Sequence, residues 1–117
     1  MQANQYQTLL KGFVENGTTE ETLFTGLASE VGEVMSERVK ETRKGLKRDE
    51  EILDELSDVL WYIATIADKR GSSLEKLMDH NIDKLIERKL WGKRESNCVS
   101  CNVPSLNEFC EFCLNWE

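Results

Sequence analysis

Apolar positions recur at helical spacing along most of the chain, and glycines divide the pattern into segments. Tyr6, Leu9, Leu10 and Phe13 fall on one face and predict a first helix over about residues 2–15, closed by Asn16-Gly17. Thr18-Thr19-Glu20-Glu21 reads as a capping box, with Thr18 answering Glu21. The helix it opens carries Leu23, Phe24, Leu27, Val31, Val34 and Met35 as its stripe and runs to about residue 43, before Gly45. Asp49 is the expected cap of a third helix reaching about residue 70, its arc formed by Ile52, Leu56, Val59, Ile63 and Ala67. Ser72-Ser73-Leu74-Glu75 reads as another capping box, Ser72 with Glu75, and opens a fourth, with Leu74, Leu77, Met78, Ile82, Leu85 and Ile86 inward, to about residue 90. Short loops between such helices predict antiparallel neighbours in an all-α four-helix bundle.

Beyond Trp91 the helical period fades, and all four cysteines lie there. The expected organisation is therefore a helical domain over residues 1–92 and a C-terminal tail over 93–117. No internal repeat or low-complexity run interrupts it.

Composition narrows the function classes. A chain of 117 residues has room for one core. A net charge of −7 argues against gripping a phosphate backbone directly, so no nucleic-acid partner is expected. The N-terminal residues have neither a basic region nor an apolar run, so no secretory signal is read there. The longest apolar run, residues 59–67, is far short of the ~20 needed to span a bilayer. The expectation is a cytoplasmic protein without a membrane partner.

The candidate chemistry lies in residues 27–63. Glu30-Val-Gly-Glu33 and Glu55-Leu-Ser-Asp58 each place two carboxylates one turn apart on one helix face. At 100° per residue, Glu51, Glu55, Asp58 and Tyr62 border the apolar arc of the third helix, and Glu30, Glu33 and Glu37 border that of the second. Acids on the flanks of two packed helices meet. Two like charges about 4 Å apart repel by roughly 4 kcal/mol at an effective dielectric near 20, so convergence calls for cations. Hard divalent ions, Mg²⁺ foremost, suit an all-carboxylate site. Gly32, a mid-helix glycine, is the expected point of close helix packing. Either acidic pair alone also fits an ordinary solvated helix surface.

The stretches Leu27-Ala-Ser-Glu-Val-Gly-Glu-Val34 and Asp54-Glu-Leu-Ser-Asp-Val-Leu-Trp-Tyr-Ile63 resemble the MazG-type all-α nucleotide pyrophosphohydrolases, whose pattern is Glu-x-x-Glu, a spacer, then Glu-x-x-Asp. The likeness extends to Gly71-Ser-Ser-Leu-Glu75 and Asn81-Ile-Asp-Lys-Leu-Ile-Glu-Arg88, and Tyr6-Gln7 matches a frequent opening pair. It covers about residues 5–93. The resemblance implies Mg²⁺-dependent cleavage between the α and β phosphates of a nucleoside triphosphate, giving monophosphate and pyrophosphate. It implies Glu30, Glu33, Glu55 and Asp58 as metal ligands, with Glu30 or Glu33 also a candidate general base. Asn81, Lys84 and Arg88 match its substrate-binding positions. It also implies paired bundles, a homodimer or homotetramer. Trp61 points away from the apolar arc and would be exposed in a single chain, so it is expected at a subunit contact, with nucleobase stacking as the other reading.

Other residues carry looser expectations. Tyr62, on the acidic stripe, is a candidate for sugar or base contact. Lys44, Lys47 and Arg48 in the turn could steer phosphates or simply face solvent. Glu37 is expected as a surface acid or a supporting one, and His80 as exposed. Cys98-Val-Ser-Cys101 and Cys110-Glu-Phe-Cys113, eight residues apart, form a four-thiolate pattern for a structural Zn²⁺, with disulfides or free thiols as the other readings. A different class also fits this chain: a non-enzymatic helical adaptor with a zinc-binding interaction module. Within the enzyme class, narrower relatives such as all-α dUTPases and phosphoribosyl-ATP pyrophosphohydrolases share the pattern.

Overall fold

The computed structural model describes residues 1–93, with side chains through residue 89. It is all-helical among those residues, with α1 (Ala3–Leu10), α2 (Glu20–Lys44), α3 (Asp49–Lys69) and α4 (Leu74–Lys93) in order and a 3₁₀ turn, Lys11–Phe13, after α1. The tail cysteines Cys98, Cys101, Cys110 and Cys113 lie outside the described residues. Two units divide the chain, Met1–Leu77 and Met78–Glu117.

The first unit is built on the α2–α3 hairpin, with α1 laid against α3. Each end of the hairpin has a chemical reason. Thr19 caps α2, its hydroxyl accepting from Thr22 N–H at 3.2 Å, with Glu20 and Glu21 in the first turn and Arg43 and Lys44 in the last, signs that suit the helix dipole. The expected cap was Thr18, one residue earlier. Thr18 instead turns back, its hydroxyl donating to Glu15 C=O at 2.7 Å and closing the preceding turn. Gly45 ends α2 in the left-handed conformation, φ 63°, its N–H donating to Glu41 C=O. At the far end of α3, Gly71 takes φ 73° and Ser72 N–H reaches Ala67 C=O at 2.8 Å, which satisfies a carbonyl the helix leaves open. Ser73, not the expected Ser72, caps α4, its hydroxyl accepting from Lys76 N–H at 3.2 Å.

Leu10, Leu23, Ala64 and Ala67 are the buried apolar residues of this unit. Leu23 is 1% exposed, and full burial of a leucine contributes about 1.5–3 kcal/mol. On α1 the inward face differs from expectation. Gln7 and Leu10 are buried, whereas Leu9 is 55% and Phe13 76% exposed. The helix stops at Leu10, and the tighter 3₁₀ turn that follows swings Phe13 off the stripe. The expected stripe on α2 is also thinner: Phe24, Val31 and Met35 are exposed, as is Leu56 on α3.

Gln7 was not anticipated as a core residue. Its amide donates to Ala64 C=O at 2.9 Å and accepts from Leu74 N–H at 2.8 Å. One side chain thus joins α1, α3 and the first residue of α4. Leu74 N–H is one of the donors a helix start leaves unpaired, which gives this polar residue its reason to be inside.

The hairpin is tied at both ends. Arg70 pairs with Glu20 and sits 5.9 Å above the Phe24 ring, joining the end of α3 to the start of α2. Those groups are well exposed, so the pair adds little. At the turn, Arg48 Nε donates to Glu37 Oε2 at 2.8 Å, Lys40 Nζ to Glu37 Oε1 at 3.0 Å, and Arg48 N–H to Glu41 Oε2 at 3.4 Å. Glu37 is buried, 7% exposed, and the Arg48 and Lys40 cations hold its carboxyl below the usual range. Of the two readings, the surface acid is therefore corrected: Glu37 sits in a sheltered ion pair. Arg48 gives its Nε to this pair, whereas Lys44 and Lys47 are exposed.

The second unit is described through residues 78–93 of α4. His80, Asn81, Lys84 and Arg88 are all exposed on it, and the last three share one face at i, i+3, i+7 spacing. Among the described residues no helix is long and apolar enough to cross a membrane.

Candidate metal centre

Between the two ties the hairpin brings acids together. Glu30 on α2 and Glu55 and Asp58 on α3 each offer a carboxylate oxygen, and these oxygens lie within 4.8 Å of one another. Two helices packed antiparallel along their apolar stripes set their flanking positions opposite one another, which places these acids edge to edge. Glu30 and Glu55 are half-buried; Asp58 is exposed at the rim.

The electrostatics match the crowding. Glu55 is pushed above the usual carboxylate range, first by burial, then by a hydrogen bond with the Glu30 carboxyl, then by the charges of Glu30, Asp58 and Glu33. Without a cation, Glu55 holds a proton more readily than a free glutamate does, because burial and then its negative neighbours disfavour its charged form. Glu33 is exposed and stands outside the three-oxygen set, one turn along α2 from Glu30, yet close enough for its charge to act on Glu55. Of the four acids expected as ligands, three converge and the fourth contributes through its field.

The donor set fits a hard divalent ion. Oxygens held about 2.0–2.6 Å from such an ion lie at most about 5 Å apart, and all three donors here are carboxylate oxygens. The geometry therefore describes a possible acidic metal site in an all-α scaffold.

Tyr62 stands one turn beyond Asp58, half-buried, its ring meeting that of Trp61 edge-on at 4.9 Å and 86°. Trp61, expected to be exposed in a single chain, is half-buried instead, partly covered by this contact. The close-packed glycine of the hairpin is Gly26, not Gly32. A Cβ at Gly32 would meet nothing within 4 Å, whereas one at Gly26 would fall 2.3 Å from a Tyr62 ring carbon. The sequence carries no signal that distinguishes the two, since both are mid-helix glycines. Glu51, on the same stripe one turn before Glu55, turns toward Arg48 Nη1 at 3.9 Å. Its Oε2 has no hydrogen-bond partner among the described residues.

The scaffold is an α-helical hairpin that brings three carboxylates together. The family model described as the MazG nucleotide pyrophosphohydrolase domain matches residues 18–92, and the chain belongs to that family. The match begins after α1, so the Tyr6-Gln7 pair lies outside it. Searches of curated proteins and of solved structures find no significant match.

Proposed function

We propose that the protein hydrolyses a nucleoside triphosphate between its α and β phosphates in a Mg²⁺-dependent reaction, yielding the monophosphate and pyrophosphate. The observation that carries this reading is the convergence of Glu30, Glu55 and Asp58 within 4.8 Å, in a chain of the MazG nucleotide pyrophosphohydrolase family. Those three residues, with Glu33 beside them, would hold the ion. A bound Mg²⁺ would neutralise phosphate oxygens and acidify a water.

The chain's own residues supply the rest. Glu33, exposed and outside the converging set, is the acid best placed to accept a proton from an attacking water; Glu30 is the other candidate. Lys84 and Arg88, on one face of α4 with Asn81, offer cationic and amide donors suited to phosphate oxygens. Tyr62 is the candidate for contact with the nucleoside. Incubation with Mg²⁺ and a panel of ribo- and deoxynucleoside triphosphates, with pyrophosphate and monophosphate quantified, tests the reading. Release of both products supports it, and release of orthophosphate alone moves the cut to the β–γ bond. No turnover of any nucleotide overturns it in favour of a helical adaptor.

Two further proposals complete this reading. The domain over residues 1–92 works as a homodimer or homotetramer, supported by the exposed apolar side chains Val31, Met35 and Val39 on α2 and Leu53, Leu56 and Leu60 on α3. The tail over residues 93–117 binds one structural Zn²⁺ through Cys98, Cys101, Cys110 and Cys113, supported by the paired Cys-x-x-Cys spacing. Elemental analysis finding no zinc in protein prepared without chelator would remove that assignment.

A further inference from the structure

Gly26 lies one turn before Glu30 on α2, and Tyr62 lies one turn beyond Asp58 on α3. The two meet at the same end of the carboxylate cluster. A Cβ built on Gly26 would fall 2.3, 2.4 and 2.6 Å from Cε1, Cζ and the hydroxyl oxygen of Tyr62. The far end of the phenol ring therefore rests on the α2 backbone, in space that any side chain at position 26 would fill. A mid-helix glycine is a poor helix former; at position 26 the ring gives it a packing reason, which Gly32, with nothing within 4 Å of its built Cβ, lacks.

Beside this contact runs an open groove of about 490 Å³, lined by Glu21, Thr22, Thr25, Gly26, Ser29 and Tyr62. Three aliphatic hydroxyls and a phenol can each donate and accept, which suits a ligand rich in hydroxyl and ring oxygens. Its Gly26–Tyr62 wall stands one helical turn, about 6 Å of rise, from the nearest ligands of the cluster. In a nucleoside triphosphate the sugar is joined directly to the α phosphate. Phosphates held at the cluster therefore put the sugar at that range.

We infer that Gly26 is a positioning residue: it seats the Tyr62 ring against α2, and the seated phenol forms one wall of a hydroxyl-lined slot for the sugar of the substrate. The inference rests on the nucleotide reading above and extends it to a residue and a groove.

The test compares wild type with Gly26→Ala, Tyr62→Ala and the double variant, scored by steady-state kinetics and near-ultraviolet circular dichroism. In Gly26→Ala the displaced ring should alter the signal of the Trp61–Tyr62 pair, and KM for the nucleotide should rise about tenfold or more with a smaller fall in kcat. Because Gly26 acts through Tyr62, the double variant should be no worse than Tyr62→Ala alone. An unchanged KM, an unchanged aromatic spectrum, or strictly additive effects would each overturn the inference. If Gly26→Ala does not fold, Tyr62→Phe and Tyr62→Ala carry the test, and wild-type KM in both overturns it.

Calorimetry with a deoxynucleoside monophosphate separates this idea from the hydrolase reading. Wild type that binds it more tightly than Gly26→Ala but turns over no triphosphate keeps the slot and loses the hydrolase. Turnover with equal KM and equal monophosphate binding in both proteins keeps the hydrolase and loses the slot. Neither binding nor turnover in wild type overturns both.

Discussion

Asp58 and Glu37 are acids on the same hairpin with opposite circumstances, and each makes a different prediction. Asp58 sits among like charges, within reach of Glu30 and Glu55. Asp58→Asn should cut turnover by at least about 100-fold, since changes to groups that merely support a metal ligand already cost 10–100-fold. In metal-free buffer the same variant should melt no lower than wild type, and higher if the repulsion is strong, because a like charge is gone. A variant with near-normal turnover would remove Asp58 from the ligand set. Glu37 is the reverse case, an acid whose carboxyl is held low by Arg48 and Lys40. Its folded value lies below its unfolded value near 4.5, so its contribution to stability is present above about pH 4.5 and disappears as pH falls through the folded value. Glu37→Gln should therefore lower the melting temperature at pH 7, with the gap to wild type closing in acid. A gap that does not depend on pH would mean that Glu37 acts by packing rather than by charge.

Among the elements, legibility followed from how local the signal was. α2, α3 and α4 were readable because periodic leucines, capping hydroxyls and Gly45 and Gly71 act within a few residues of one another. The caps themselves moved by one position: Thr18 gave way to Thr19 and Ser72 to Ser73, where neighbouring hydroxyls compete on equal terms for the same N–H groups, and Asp49 lies inside α3, whose N-cap is Arg48. The inward face of α1 was misread because Gln7 looks like a surface residue until Ala64 C=O and Leu74 N–H are placed around it. That makes Gln7 an element-scale test. Gln7→Leu keeps the size but leaves Leu74 N–H without its partner, and should cost about 1–3 kcal/mol in chemical denaturation. A neutral result would mean that water takes the place of the amide.

For the molecule as a whole, the carboxylate cluster should make stability depend on cation and pH together. Mg²⁺ that binds only the folded protein should stabilise it by about 2.7 kcal/mol when the ion is at 100 times its Kd and so raise the melting temperature, and chelator should reverse the rise. Glu55 adds a pH dependence opposite in sign to that of Glu37. Its folded value is raised, so without metal its contribution favours the folded state most below the ordinary glutamate range and is lost as pH rises through the raised value. If Mg²⁺ binds there, protons compete with it for the same oxygens, so the Mg²⁺-induced rise should shrink as pH falls while the metal-free protein gains from Glu55. Melting curves with and without Mg²⁺ between pH 5 and pH 8 check this. A Mg²⁺ effect independent of pH would point away from the Glu55 site.

The sequence by itself determined the helices, the acidic pairs on their flanks and the family resemblance, because helical period and i, i+3 spacing are properties of consecutive residues. Only the tertiary structure decided which acids meet. Glu30, Glu55 and Asp58 converge, Glu33 stays at the edge, and Glu37 and Glu51 turn instead toward Arg48. It likewise decided that Gly26 rather than Gly32 is the close contact. Rotation and offset of one helix against another select the partners, and those depend on side chains far apart in the chain, which no local spacing encodes.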